Sequence, residues 1–115
     1  MLVDDDLDLL LLLRHVLKAR GYIVITLDEG SGVLPAIDAV QPDLLILDIN
    51  IGDHDGRDIC KQIKQNHEYD HIPVVLFSAL VKEKEMISGC QADGYIEKPI
   101  STPFFLQKIE SLIAA

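Results

Sequence analysis

Basic residues are scarce in this chain, which has 10 lysines and arginines against 19 aspartates and glutamates. The net charge of −9 argues against a phosphate backbone as a direct partner, because nucleic-acid binding draws much of its affinity from Lys and Arg. Glycine and proline are also few, at seven and five residues, while 49% of the chain is hydrophobic. We therefore expect an ordinary globular protein rather than a disordered one.

Cysteine is limited to Cys60 and Cys90, which are far apart in the chain and form no Cys-x-x-Cys motif. Isolated thiols of this kind are typical of neither a disulfide framework nor a metal site. We expect both to be small buried apolar side chains of a protein in a reducing cytosol.

No hydrophobic run is long enough to span a membrane. The most apolar stretch, residues 7–17, is about half the length of a span, follows three aspartates and contains Arg14 and His15. A signal peptide would need a basic start, and this segment has an acidic one. We interpret it as an amphipathic helix of a cytoplasmic protein that has no membrane partner.

Two periodicities alternate along the chain and predict five strands and five helices in turn. The strands are expected at 1–3, 22–26, 43–48, 73–78 and 94–98, and the helices at 7–20, 31–40, 55–66, 81–89 and 102–114. Ser31 is the expected N-cap of the second helix, and Pro35 fits only in its first turn. Because 115 residues are a usual length for one domain, we predict a single α/β domain over 1–115: a parallel sheet with helices on both faces.

Polar side chains stand where the predicted strands end: Asp4, Asp5 and Asp6 after the first, Asp48 at the third, Ser78 at the fourth and Lys98 at the fifth. Functional groups of an open parallel sheet gather outside the carboxyl ends of its strands. Carboxylates that meet there repel one another unless a hard cation neutralises them, and Mg²⁺ prefers such oxygen ligands. Lys98 and Ser78 would add a point charge and a hydroxyl donor, which suit a phosphoryl group.

Five sequence elements in order resemble the receiver domain of two-component response regulators. They are Asp4-Asp5, Asp48, Asp55-Gly56, the sequence FSA at 77–79 and the sequence GYIEKP at 94–99. The resemblance covers essentially the whole chain. It implies a flavodoxin-like fold whose five parallel strands lie in the order 2-1-3-4-5.

The resemblance also implies a role for each site residue. Asp48 would accept a phosphoryl group from a sensor histidine kinase or a phosphotransfer protein, with self-phosphorylation and autodephosphorylation as the only activities. Asp4, Asp5 and Asp48 would hold Mg²⁺ together with the backbone carbonyl of Asn50. Lys98 would contact Asp48 and the phosphoryl group, Ser78 would bind another phosphoryl oxygen, and Tyr95 would be an aromatic switch coupled to Ser78. Lys98-Pro99 would be a cis peptide, and self-association or a downstream protein is a further expected partnership.

Plainer alternatives remain open for several of these residues. Asp4, Asp5 and Asp6 could form a solvated acidic loop or an N-cap, and Tyr95 could be an edge-strand aromatic that packs on the last helix. The whole chain could be a pseudoreceiver, an interaction module that ignores phosphate. A phosphohydrolase is disfavoured, because no aspartate follows two residues after Asp48 to act as acid and base.

The chain departs from the family pattern in several places. Gly52 stands where the family often has proline, and the interval from Ser78 to Lys98 is slightly short, which puts the fourth helix in doubt. Only three residues precede Asp4, so we expect a trimmed or locally altered N-terminus.

Leu7 and Leu11, one turn apart in the first helix, widen its apolar stripe beyond what a sheet can cover. In the family this helix docks on the helical bundle of the kinase, so the two leucines predict an interaction surface. Burial of both under a longer N-terminus is the alternative.

Overall fold

Short strands alternate with helices over residues 1–78, 87–98 and 101–114, which are the residues that the computed structural model describes. The strands are β1 (Leu2–Val3), β2 (Thr26–Leu27), β3 (Leu45–Asp48), β4 (Asn50–Ile51), β5 (His54–Asp55), β6 (Val74–Ser78) and β7 (Gly94–Glu97). The helices are α1 (Leu7–Ala19), α2 (Val33–Val40), α3 (Gly56–Lys64) and α4 (Thr102–Ala114). Short 3-10 turns occupy Gly30–Gly32 and Ile87–Cys90.

Five of these strands form one parallel sheet in the order β2-β1-β3-β6-β7. Counted along the chain without the β4–β5 hairpin, this is the 2-1-3-4-5 order expected of a flavodoxin-like fold, and the predicted fold class is confirmed. The strand order reverses where β1 lies beside β3. Asp4 follows β1 and Asp48 ends β3, so both lie at this switch point.

The sheet is buried on both faces, which explains the continuous apolar run that leads into Asp48. In β3, Leu45 and Leu47 face an apolar layer that includes residues of α2 and α3, whereas Ile46 faces a layer that includes residues of α1 and α4. A strand covered on both sides needs apolar residues at every position, not at alternate ones. Asp48 is the first polar residue of β3 because the strand ends there.

The second strand is shorter than the sequence predicts: β2 comprises Thr26–Leu27 rather than 22–26. Leu2 pairs with Thr26, and its N–H donates to the carbonyl of Ile25 at 2.8 Å. In this parallel register the segment 22–25 extends past the first residue of β1 and has no β1 residue to pair with. A strand needs a neighbouring strand for its hydrogen bonds, so the apolar alternation of residues 22–26 overestimated the length of β2.

The second helix also begins later than the sequence predicts. Gly30–Gly32 form a 3-10 turn, and Gly32 rather than Ser31 is the N-cap of α2, so the prediction of Ser31 as the cap is wrong. Pro35 lies in the first turn of α2, where its missing N–H leaves no helical hydrogen bond unmade.

Two expectations fall partly or wholly outside the described residues. The helix predicted at 81–89 lies outside them up to residue 86, and the part that follows, Ile87–Cys90, is a 3-10 turn. The peptide bond expected to be cis, Lys98-Pro99, includes a residue outside the described range.

The sequence did not predict the antiparallel hairpin of β4 and β5, which follows β3 after a single residue.

Helix α1 packs on the sheet through Leu10, Leu13 and Leu17 and leaves other leucines in solvent. The side chains of Leu7 and Leu11 are 59% and 63% exposed, so the predicted width of the apolar stripe is confirmed. Within the described residues, no helix combines the length and the hydrophobicity needed to cross a membrane.

Gly56 lies where two backbone segments meet, and we expect Gly56→Ala to destabilise the protein. Its N–H donates to the carbonyl of Ile49 at 2.6 Å, and a Cβ would lie 2.1 Å from the carbonyl oxygen of Asp48. Overpacking of this kind should lower the free energy of unfolding by about 1–3 kcal/mol, measured by urea denaturation. Gly89→Ala is the matched control, because no atom of the described residues lies within 4 Å of a Cβ placed there. Equally small losses of stability in the two variants would contradict the conclusion that the backbone around Gly56 leaves no room for a Cβ.

Candidate functional site

Three aspartate side chains meet at the carboxyl edge of the sheet. One carboxylate oxygen each of Asp4, Asp5 and Asp48 lies within 4.8 Å of the others. Val3 pairs with Leu47 in the β1–β3 ladder, so the next residue of each chain segment, Asp4 and Asp48, come to lie side by side. Asp4 and Asp48 are buried, whereas Asp5 is exposed. The structure thus brings together the three carboxylates that the sequence places at strand ends.

Lys98 extends from the end of β7 to both buried carboxylates. Its Nζ lies 2.7 Å from Oδ2 of Asp4 and 3.4 Å from Oδ1 of Asp48. Its backbone N–H donates to the carbonyl of Ser78 at 2.6 Å, which ties the end of β7 to the end of β6. The sequence predicts Lys98 beside Asp48, and the structure adds a shorter contact with Asp4. A paired cation is what makes two buried carboxylates tolerable at this edge.

The charges at the site favour the binding of a further cation, because the negative charge of the carboxylates exceeds the positive charge of Lys98. Burial raises the pKa of Asp48 to about 6, with the Asp4 carboxylate acting in the same direction and Lys98 opposing it. For Lys98, burial acts to lower the pKa, but the hydrogen bond to Asp4 and the charges of Asp48 and Asp4 outweigh it, so the pKa is raised. Two buried carboxylates therefore share one ammonium, and a bound cation would relieve the remaining repulsion.

The hairpin of β4 and β5 orients the exposed carboxylate of the cluster. The N–H of Gly52, in the turn of this hairpin, donates to Oδ2 of Asp5 at 3.2 Å. Gly52 adopts a positive φ of 56°, a conformation that suits glycine, and a proline at this position would have no N–H to donate. Asn50, whose carbonyl is an expected metal ligand, is exposed in β4 and pairs with Asp55.

Ser78 and Tyr95 lie on neighbouring strands and on the same face of the sheet. Ser78 is the buried last residue of β6, and Tyr95 is partly buried in β7. Tyr95 pairs with Leu76 and packs against the apolar layer of α2 and α3, and Ser78 shares that face because side chains alternate along β6. The last helix, α4, belongs to the opposite layer, so the alternative in which Tyr95 packs on that helix is wrong. A switch coupled to Ser78 stays a prediction.

One residue of the site was not singled out from the sequence. The ring centroid of Phe77 lies 5.0 Å from Nζ of Lys98. Phe77 reads as an ordinary core residue because it is one of five buried positions in β6. Only the pairing of β6 with β7 shows that it shares a face with Lys98, and the sequence does not state that pairing.

The strand order, together with the cluster of three carboxylates and one lysine at the carboxyl edge, defines a flavodoxin-like α/β domain. The family model described as the response regulator receiver domain matches residues 1–110. The chain therefore belongs to the receiver family of two-component response regulators, as the sequence resemblance predicts.

Two curated relatives differ in how much of them the chain covers. It is 33% identical over 117 residues to the polar-differentiation response regulator DivK of Brucella ovis, covering 98% of this chain and 94% of DivK. It is 32% identical over 113 residues to the phosphate regulon transcriptional regulatory protein PhoB of Rhizobium meliloti, covering 96% of this chain. The chain spans 50% of the length of that PhoB.

Solved receiver domains have the same fold. The BeF3-activated receiver domain of RstA from Klebsiella pneumoniae superposes with a TM-score of 0.90 at 22% identity, covering 99% of this chain and 97% of that one. The receiver domain of NtrX from Brucella abortus gives a TM-score of 0.89 at 26% identity, with coverage of 99% and 97%. The likeness to RstA concerns the fold alone at this identity.

We expect the Asp48 carboxylate to destabilise the Mg²⁺-free protein increasingly as the pH rises. Its folded pKa of about 6 exceeds the ordinary 3.8, so its favourable contribution is complete below about pH 4 and is lost as the pH rises through 6. Between about pH 4 and about pH 7 the wild type should lose up to about 3 kcal/mol relative to Asp48→Asn, measured by urea denaturation.

Asp53→Asn removes an exposed carboxylate of the nearby turn and is the control for this titration. Its stability should follow that of the wild type across the same pH range. A difference between wild type and Asp48→Asn that does not change with pH would contradict the raised pKa.

Proposed function

We propose that this receiver domain, over residues 1–115, accepts a phosphoryl group on Asp48 from a phosphohistidine of a sensor histidine kinase or a phosphotransfer protein. The observation that carries the proposal is the convergence of Asp4, Asp5 and Lys98 on Asp48 at the strand ends. A buried carboxylate with an adjacent ammonium and an acidic pair has both a nucleophilic oxygen and the charges needed to bind a phosphoryl group.

The chemistry assigns one step to each side chain. An oxygen of Asp48 forms a bond to phosphorus, the bond from phosphorus to the histidine nitrogen breaks, and its electron pair stays on the imidazole. Lys98, 3.4 Å from Asp48, would hold one phosphoryl oxygen, and the hydroxyl of Ser78 would donate to another. Transfer is favoured by positioning and charge neutralisation, since the protein adds little other covalent chemistry.

The site fits Mg²⁺, because its donors are hard carboxylate oxygens that already lie within 4.8 Å of one another. Asp4, Asp5 and Asp48 would hold the ion, with the carbonyl of Asn50 as a further oxygen ligand. A bound ion would supply positive charge that offsets the negative charge of the carboxylates and of the phosphoryl oxygens. We also propose that Ser78 and Tyr95 report phosphorylation: Ser78 moves toward the phosphoryl group and Tyr95 fills the space on the shared face.

The direct test is incubation with Mg²⁺ and acetyl phosphate, read by intact mass. We expect the wild type to gain one phosphoryl group and Asp48→Asn to gain none, because the substitution removes the nucleophilic oxygen. Asp53→Asn, altered only in an exposed carboxylate close by, should be phosphorylated like the wild type. A wild type that gains no mass would favour the pseudoreceiver function, and retention of the mass by Asp48→Asn would assign the acceptor to another residue.

Mg²⁺ binding should depend on Asp5, the exposed member of the cluster. We expect weak binding by the wild type, since the ion keeps several waters, and at least a roughly ten-fold weaker affinity for Asp5→Ala, measured by calorimetry. Asp28→Ala is the matched control, because Asp28 is an exposed aspartate just after β2 and is not part of the cluster. Unchanged binding by Asp5→Ala would show that Asp5 is not a ligand.

We propose that the exposed leucines of α1 contact the helical bundle of the kinase. Leu7 and Leu11 lie in the first turns of α1, at the carboxyl edge of the sheet where Asp4 and Asp48 also lie. A partner helix that covered them would bring its phosphohistidine close to Asp48, and apolar side chains at this spacing suit the groove of a helical partner.

Leu11→Ser should slow phosphotransfer from a histidine kinase far more than phosphorylation by acetyl phosphate. We expect a roughly ten-fold higher KM for the receiver, the size of effect expected for one anchoring apolar contact, measured with a kinase that phosphorylates the wild type in vitro. Ile23→Ser is the control, since Ile23 is 95% exposed and precedes β2, at the opposite edge of the sheet. Equal effects of the two substitutions on transfer from the kinase would contradict the docking surface.

A further inference from the structure

Lys98 has an aromatic neighbour in addition to its two carboxylates. Its ammonium lies over the ring of Phe77, 5.0 Å from the ring centroid. This distance is within the range in which the negative face of an aromatic ring attracts a cation. The ammonium is thus bounded by Asp4, Asp48 and one ring.

The register of β3, β6 and β7 places the ring of Phe77 next to Asp48 and below the side chain of Lys98. Phe77 pairs with Asp48 in β3 and with Ile96 in β7. Lys98 follows Ile96 by two residues and shares its face, so the lysine side chain passes back over Phe77 on the way to Asp48.

The ring has little freedom to move. Phe77 is 2% exposed, and the ring of Phe105 in α4, itself fully buried, packs against it with centroids 6.2 Å apart and an interplanar angle of 37°. Close packing in the core restricts the orientations that a buried ring can take. The face presented to Lys98 is therefore preorganised by the core.

We propose that Phe77 is a positioning residue for Lys98 and that its ring holds the ammonium at the site through a cation–π interaction. The charge of the carboxylates that also bind the ammonium is removed by a proton, offset by a metal ion or altered by a phosphoryl group on Asp48, whereas the attraction of the ring does not change. Phe77 therefore keeps Lys98 in reach of Asp48 in every state of the site. This role rests on the proposed function insofar as Lys98 contacts the phosphoryl group.

The competing explanation is apolar packing of the lysine stem on the ring, which needs no charge. Fluorination separates the two explanations. Fluorine atoms withdraw electron density from the ring face and change its shape little, so they weaken attraction to a cation but preserve or improve apolar contact.

The experiment replaces Phe77 by 4-fluoro-, 3,5-difluoro- and 3,4,5-trifluorophenylalanine in the full chain. Denaturation midpoints are measured with Lys98 present and in the Lys98→Met background, where a chain of similar length has no charge. We expect the midpoint to fall stepwise with each added fluorine only when Lys98 is present. The same trend in both backgrounds, or no trend, would overturn the cation–π interaction.

The same series at Phe105 is the matched control. Phe105 is an equally buried ring of the same apolar layer, and the cation–π contact of Lys98 is made with Phe77. Its fluorination should give midpoints that do not depend on Lys98. A Lys98-dependent trend at Phe105 as large as that at Phe77 would overturn the assignment to Phe77.

The functional measurement is the rate of phosphorylation by acetyl phosphate. Across the Phe77 series we expect the rate to fall by roughly five-fold, a change that corresponds to the usual strength of such a contact. An unchanged rate together with a Lys98-dependent midpoint would overturn the positioning role. If the parent protein gains no phosphoryl group, the proposed function fails, and the denaturation series still decides whether the ring holds the ammonium.

Discussion

The buried carboxylates of Asp4 and Asp48 and the ammonium of Lys98 lie together at one edge of the sheet. The properties of the site depend on how the negative charge of the two carboxylates is balanced. Lys98 lies 2.7 Å from Asp4 and 3.4 Å from Asp48, so a single positive charge serves two negative ones. A buried carboxylate without a partner would instead bind a proton. Burial and the Asp4 carboxylate raise the pKa of Asp48, so Asp48 binds a proton more readily than an ordinary aspartate, although Lys98 opposes this shift. An incoming cation or a change of charge on Asp48 would therefore redistribute the hydrogen bonds of Lys98.

The remainder of the fold holds these charges at fixed positions. Apolar layers on both faces of the sheet keep β1, β3, β6 and β7 in register, and that register sets which side chains are neighbours at the strand ends. The backbone of Gly56 packs against the backbone of Asp48 and Ile49, which holds the β4–β5 hairpin close to the end of β3. The N–H of Gly52, in the turn of that hairpin, orients the carboxylate of Asp5. Dense packing of the two layers leaves the strands little freedom to shift, which keeps the charged side chains at their ends in fixed positions.

Local errors in the sequence analysis have a common physical origin. Residues 22–25 have the alternation of a strand, yet only Thr26–Leu27 form one, because a strand exists only where a neighbour supplies hydrogen bonds. Ser31 has the chemistry of an N-cap, but the chain makes a 3-10 turn first and α2 begins at Val33. The β4–β5 hairpin escaped prediction because two-residue strands carry almost no periodicity.

The sequence alone determined the α/β class, the strand-end positions of Asp4, Asp5, Asp48, Ser78 and Lys98, and the exposed leucines of α1, since each depends on local periodicity and on the ends of elements. Family resemblance supplied the strand order. Tertiary structure decided that Lys98 contacts Asp4 more closely than Asp48, that Gly52 donates to Asp5 and that the Phe77 ring lies beneath the ammonium. These contacts join residues far apart in the chain, and only the pairing of strands and the packing of α4 bring such residues within a few ångströms of one another.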